Sequence, residues 1–269
     1  GKVSGYHLKE AAINGNMYGL IPNFFPAGCI PNYKVDTESY ASNITTGAWR
    51  APYTNFLAFA EQTFFDELAN ELGVDTIQLR LDLLQNVKNT TDNKIEYSGQ
   101  RMEDTIKLVR EKANWGNTKE GVYQGFAAYY SHNTHVAEIA DISLKDGYPI
   151  IEKVTVAVDC GILVNPTGAK NQVEGGVLDG IGHAMYSDFS FNDGKPEHKN
   201  FDTYRLIRMQ ETPKVDVYFV ENDKKPTGLG EPGLPPAGGA IANAINAAWG
   251  QRLYSQPFVK ELKKSTVLG

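Results

Sequence analysis

With 269 residues, 41% hydrophobic and 11% aromatic, the chain has enough sequence for one large domain or two modest ones around a buried core. A net charge of −6 with no basic run excludes a nucleic-acid partner, and no apolar run approaches the roughly 20 residues of a membrane-spanning helix. Two distant cysteines, Cys29 and Cys160, are too few for an iron–sulfur cluster or a disulfide framework.

The start, Gly1-Lys2-Val3-Ser4, carries no leader and reads as a piece of a longer protein, so the compartment stays open. Residues 1–45 combine an apolar, Pro-rich stretch (Leu20 to Pro26, Cys29 to Pro31) with a polar one from Asp36 to Thr46. They predict an extended arm with little regular structure that leans on another element. Residues 46–118 predict a helical part. Thr54 is the expected N-cap of its first helix, and Phe56, Ala60, Phe64 and Leu68 recur every four residues as an inward stripe, ended by Gly73. Asp75 and Gln78 stand at capping-box spacing before a second helix with Ile77, Leu81 and Leu84 inward. Met102, Ile106, Val109 and Ala113 mark a third helix.

Residues 119–269 predict an α+β part. Val122 to Ser131, Val136 to Leu144 and Ile150 to Asp159 read as strands, with Asp146-Gly147 turning the second into the third. In the third, Val154, Val156 and Val158 alternate with Lys153 and Thr155, which predicts a half-buried strand. His132 and His135 fall at i,i+3 and point to opposite faces of a strand, so no zinc site is expected. Asn165-Pro166 opens a helix with Val173, Val177, Ile181 and Met185 on one face and Gly176 and Gly180 beside them. Helical glycines cost about 1 kcal/mol each against Ala, so several together imply close approach by another backbone or a flat ligand. Val215, Val217 and Phe219 form a further strand.

That strand leads into Thr227-Gly-Leu-Gly-Glu-Pro-Gly-Leu-Pro-Pro236, ahead of a small, apolar helix from Ala237. One carboxylate, Glu231, stands between glycines that remove bulk and prolines that stiffen the turn. The positive end of the next helix lies close by. Such a turn suits a general base aimed at a cavity, and Glu231 is expected to be buried there; an ordinary solvated turn is the plain alternative.

Three stretches stand together in order: Gly47-Ala-Trp-Arg50, Asn171-Gln-Val-Glu-Gly-Gly176 and Gly228-Leu-Gly-Glu-Pro-Gly233. Over about residues 40–258 the chain resembles the C-terminal half of the molybdenum-binding subunit of the xanthine oxidase and aldehyde oxidase family. Gly230-Glu-Pro-Gly-Leu-Pro-Pro236, with Val158-Asp-Cys-Gly161 and Val164-Asn-Pro166, most resembles its isoquinoline 1-oxidoreductase β-subunit branch. The resemblance implies an α+β molybdopterin-binding domain that takes part in oxidative hydroxylation of an N-heteroaromatic or aldehyde carbon, with water as oxygen source. It gives Glu231 the general-base role and Gln172 a hydrogen bond to the cofactor. Trp49, Arg50, Leu229 and Gly230 would meet the cofactor through their backbone. It further implies molybdopterin in its cytosine dinucleotide form, an upstream half of the same subunit and a small 2Fe–2S subunit. A periplasmic location is common in that branch. Two other readings make different demands. A glycoside-acting enzyme needs a second carboxyl such as Glu174 roughly 5–9.5 Å from Glu231. A non-catalytic interaction domain needs an exposed Glu231 and no cavity between positions 47–50, 172 and 230.

Overall fold

The computed structural model describes residues 2–14, 23–88 and 94–265. Strands β1 (Gly5–Ile13) and β2 (Asn32–Tyr40) are followed by helices α1 (Thr54–Leu72), α2 (Thr76–Gln85) and α3 (Gly99–Lys112). Then come β3 (Val122–Ser131), β4 (Thr134–Lys145), β5 (Tyr148–Asp159) and α4 (Pro166–Met185). Two-residue strands β6 (Phe191–Asn192) and β7 (Lys195–Pro196) precede β8 (Lys214–Phe219), α5 (Pro235–Trp249) and α6 (Phe258–Ser265). This is the α+β class expected.

The main sheet runs β3-β4-β5-β8. Its first three strands are antiparallel, and β8 lies parallel to β5 with Val156 opposite Val217. A parallel neighbour needs a crossover, and α4 supplies it. Asp146 and Gly147 take φ of 52° and 72° in the β4–β5 turn, as their residue types predict. One face of the sheet, with Ala137, Ile139 and Ala157, packs with residues of α1–α3. The other face, with Val136, Ala140, Val154, Val156 and Val158, packs with α4 and α5. Covered on both sides, β5 is therefore wholly buried from Val154 to Asp159, not half-buried as its alternation suggests. Gly125 lets α5 lie directly on β3, since a Cβ there would come within 2.0 Å of the Ala244 nitrogen.

The arm departs from expectation. Its two nine-residue strands pair in parallel, Gly5 opposite Asn32 through Ile13 opposite Tyr40. The Leu20-Ile21-Pro22 part of the apolar stretch lies outside the described residues. The arm does lean on a helix: Tyr6 stacks between Tyr33 and Phe65, with centroids 5.6 and 5.7 Å away.

Helix α1 is rotated from its predicted phase. Phe56, Ala60 and Phe64 are exposed, while Leu57, Ala58, Phe65 and Ala69 are buried beside Glu61, Gln62, Thr63 and Asp66. The buried polar groups are satisfied one by one. Tyr6 and Tyr129 hydroxyls donate to Glu61, Arg80 and the Ala128 N–H to Gln62, and Arg252 to Asp66. Paired in this way, polar side chains can be buried, and a hydrophobic stripe no longer marks the inner face. Thr54 is the first helical residue rather than the cap, and its hydroxyl donates to the Ala51 carbonyl. Helix α2 is capped by Asp75 as predicted, its carboxylate accepting from the Gln78 N–H, and α3 is capped by Ser98, which no expectation named and which accepts from the Arg101 N–H.

Burial pushes three carboxyls in this fold above the usual carboxylate range. Glu61 is pushed up to about 7 and Glu10, also facing Glu61, to about 8. Glu138, fully buried on β4 with neither oxygen bonded among the described residues, is also pushed up. Each therefore favours the native state most at low pH, and that contribution is lost as pH rises through the folded value. His135 is held neutral, down to about 3, chiefly by burial, and it works the other way below its unfolded value near 6.5. Between pH 6.5 and 8 the carboxyl effect outweighs that of His135, whose unfolded imidazole is already half deprotonated at the lower limit. Thermal unfolding should therefore give a higher Tm at pH 6.5 than at 8, with a smaller difference in Glu10→Gln. Equal differences in the two proteins would remove Glu10 from this account.

Candidate functional site

The Arg50 guanidinium joins all three motifs. Its Nε donates to the Gly230 carbonyl at 2.6 Å, and Nη2 lies 3.2 Å from both the Gln172 carbonyl and Gln172 Oε1. Nη1 pairs with Asp179 at 3.0 Å. Residues separated by more than a hundred positions meet here because each is set on a braced element. The turn after Arg50 has Ala51 and Tyr53 at φ of 57° and 66°, a region costly for side-chain-bearing residues. Asn55 holds the turn by donating to the Arg50 carbonyl from its side chain and to Ala51 from its N–H. Gln172 stands on the first half of α4, whose N-terminus is capped by Asn165 with Pro166 in the first turn.

The Glu231 turn is fastened at both ends. Thr227 donates to the Cys160 carbonyl from its N–H (2.9 Å) and hydroxyl (3.1 Å), and Thr134 donates to the Gly228 carbonyl. Upstream, Asp159 receives the Arg101 guanidinium on both oxygens, together with the Asn222 amide and the Gly161 N–H. Arg101 chiefly, then Asn222 and Gly161, outweighs the opposing effect of burial and holds the Asp159 carboxyl below the usual range. Downstream the turn sits on the α4 glycines. A Cβ at Gly180 would come 2.6 Å from the Leu234 carbonyl oxygen, and one at Gly176 3.2 Å from Gly233. Another backbone, rather than a flat ligand, is what these glycines admit. Gly180→Ala should push the turn off α4 and cost about 1–3 kcal/mol; an unchanged unfolding midpoint in denaturant would show that the contact yields freely.

The anchoring leaves donors over. The N–H groups of Trp49, Arg50, Gly228, Leu229, Gly230 and Glu231 have no partner among the described residues. Positions 47, 228 and 230 open on free space where a side chain would begin. Trp49 is exposed and rests on His183, ring centroids 4.4 Å apart. Leu229 packs against the α4–α5 core. Glu231 is half-buried rather than buried, and its carboxylate has no hydrogen-bond or ion-pair partner among the described residues. Gln172 is exposed. A groove of about 460 Å³ borders the site, lined by Ile13, Gly47, Ala48, Trp49, Tyr53 and Phe56 among others. Gln172 and Glu231 are not among the residues that line it.

Sequence reasoning placed Arg50 here through its backbone and missed that its side chain is the hub. It also missed Asp179, Arg101 and Thr134, and quoted Asp159 only within the Val158 to Gly161 stretch, without a role. Only the acid seven residues after Gln172, two turns along the same helix face, left a readable trace. Glu174 pairs with Lys170 at 3.6 Å, one turn away. Among the described residues no group of three or more His, Cys, Asp or Glu could hold a metal ion.

Residues 34–213 match the family model described as molybdopterin cofactor-binding domain. The chain belongs to that family. The matched span takes in Arg50 and Gln172 and stops short of the Glu231 turn. As a molybdopterin cofactor-binding domain, the chain is 31% identical over 222 residues to a membrane-bound aldehyde dehydrogenase [pyrroloquinoline-quinone] of Gluconacetobacter polyoxogenes. That alignment covers 78% of the chain and 29% of the relative. It is 27% identical to isoquinoline 1-oxidoreductase subunit beta of Brevundimonas diminuta, covering 88% of the chain and 30% of that protein. Among solved structures, quinoline 2-oxidoreductase from Pseudomonas putida 86 shares the fold with a TM-score of 0.78 at 11% identity. The match covers 97% of this chain and 60% of that one. The chain thus spans less than a third of the length of these curated relatives. The family and fold read from the three motifs are those found, and the two-carboxylate glycoside reading falls with them.

Proposed function

We propose that this domain forms one wall of the active centre of a molybdenum hydroxylase large subunit. The subunit would hydroxylate an N-heteroaromatic or aldehyde carbon with oxygen from water. The observation that carries the reading is the Arg50 fork, which brings Gly230 and Gln172 to one place beside Glu231, whose carboxylate has no partner among the described residues. The donor set fits an acceptor-rich, flat ligand: a run of N–H groups over residues 228–231 with no partner among the described residues, two more at Trp49 and Arg50, and glycines that leave room for it. When bound, the molybdenum cofactor would supply the oxygen transfer and the two-electron oxidation.

The residues of this chain bind, orient and move a proton. Gln172 uses its Oε1 on Arg50 and so turns its amide NH₂ outward as a donor. The N–H groups of Trp49, Arg50, Leu229 and Gly230 hold the cofactor in place. Glu231 takes the proton at its free carboxylate, acting as general base. The rest of the large subunit covers the opposite side, and a small 2Fe–2S subunit carries the electrons away, since Cys29 and Cys160 are buried thiols in separate places. The cytosine dinucleotide form of the cofactor follows from the family resemblance. Among the described residues no helix is long and apolar enough to cross a membrane.

Elemental analysis tests the shared-wall reading. The complete large subunit should carry about one molybdenum per chain, while these 269 residues expressed alone should retain none, because a single wall leaves the ligand half solvated. Stoichiometric molybdenum on the isolated domain would contradict it.

A further inference from the structure

Asp179 enters the Arg50 network from outside the three motifs. It lies two turns after Gln172 on the same face of α4, and its carboxylate receives Nη1 at 3.0 Å. Between the two lies Gly175, and a Cβ there would sit 3.8 Å from the same Nη1. The guanidinium therefore crosses the helix at this glycine, with Gln172 at one end and Asp179 at the other. Arginine has donors only. Whichever atom of the Gln172 amide lies 3.2 Å from Nη2 must accordingly be its oxygen, which leaves the NH₂ group outward.

We propose that Asp179 is a positioning residue: by holding Nη1 it sets the fork that orients the Gln172 amide and pins the Gly230 carbonyl beside Glu231. The assignment rests on the proposed cofactor role of this site. Without Asp179 the fork keeps only its Nε and Nη2 contacts, and the long Arg50 side chain regains rotamers that break one or the other. The Asp179 end of the pair is half exposed, so its contribution to overall stability is small. Its effect should appear in local order and in turnover instead.

The test uses the complete enzyme with Asp179→Ala and Asp179→Glu. In protein purified from a host unable to make molybdopterin, hydrogen exchange of the 227–234 peptide should be several-fold faster in Asp179→Ala, with an unchanged Tm. In the loaded enzyme, kcat/KM should fall about 10-fold, in the range of residues that orient ligand-holding groups. Asp179→Glu should restore most of both. Exchange and kcat/KM both within two-fold of wild type in Asp179→Ala would overturn the assignment, as would a fall that Asp179→Glu does not relieve. Glu231→Gln run beside them separates the two readings. If it keeps near-full turnover, the site itself is misassigned; if it is inactive while Asp179→Ala behaves as wild type, only the positioning role is lost.

Discussion

Glu231→Gln in the assembled enzyme should lower kcat by about 10²–10⁴-fold, the usual range for loss of a positioned general base, and leave molybdenum content unchanged. The substitution keeps the shape of the side chain and removes only its ability to take a proton. The turn that carries it is held by the Thr227, Gly228 and Gly230 backbone contacts, none of which involves the carboxylate. Binding and folding should therefore survive where turnover does not. Measuring kcat beside metal content separates these outcomes. Full molybdenum with near-full turnover would remove Glu231 from the chemistry, and lost molybdenum would make it a binding residue.

The second large effect lies in the core. Arg80 is 1% exposed and lies over the rings of Phe65 and Phe126, 5.5 and 5.1 Å from their centroids. It donates to Gln62 Oε1, to the Gln62 carbonyl and to Thr76. Gln62 Oε1 also accepts the Ala128 N–H, and Asn243 donates to the Gln62 and Phe126 carbonyls. One cation, with Gln62 and Asn243, thus ties α1, α2, β3 and α5. Burial pushes its pKa down to about 10, which still leaves it charged at neutral pH. Arg80→Ala should cost about 3–5 kcal/mol in denaturant unfolding, because it opens a cavity and strands the Gln62 carboxamide and Thr76. Arg80→Met, which refills the space without the charge, should cost less than half as much. Equal losses for the two would mean that the bonds of the guanidinium, and not its volume, matter here.

Much of this could be read from residue order. The β3–β5 meander follows from period-two alternation and an Asp-Gly turn, and α4 from Asn165-Pro166 with its four-residue repeat. The three motifs named the family. What residue order missed has one kind of cause, contacts between positions far apart in the chain. The α1 stripe pointed outward because Glu61, Gln62 and Asp66 find partners on β1, β3, α2 and the segment after α5. The arm became a parallel pair because Gly5 meets Asn32 across 27 positions.

At the site the division is equally clear. Local sequence determined that Glu231 stands in a stiff turn and that glycines notch α4, since φ preferences and missing side chains act within a few residues. Only the tertiary structure decided that those glycines seat the Glu231 turn itself, that Arg50 reaches Gly230 across 180 positions, and that Glu231 stays half-buried with no partner among the described residues. Each of those depends on where a distant backbone comes to rest, and a pattern of neighbours in sequence carries no record of that.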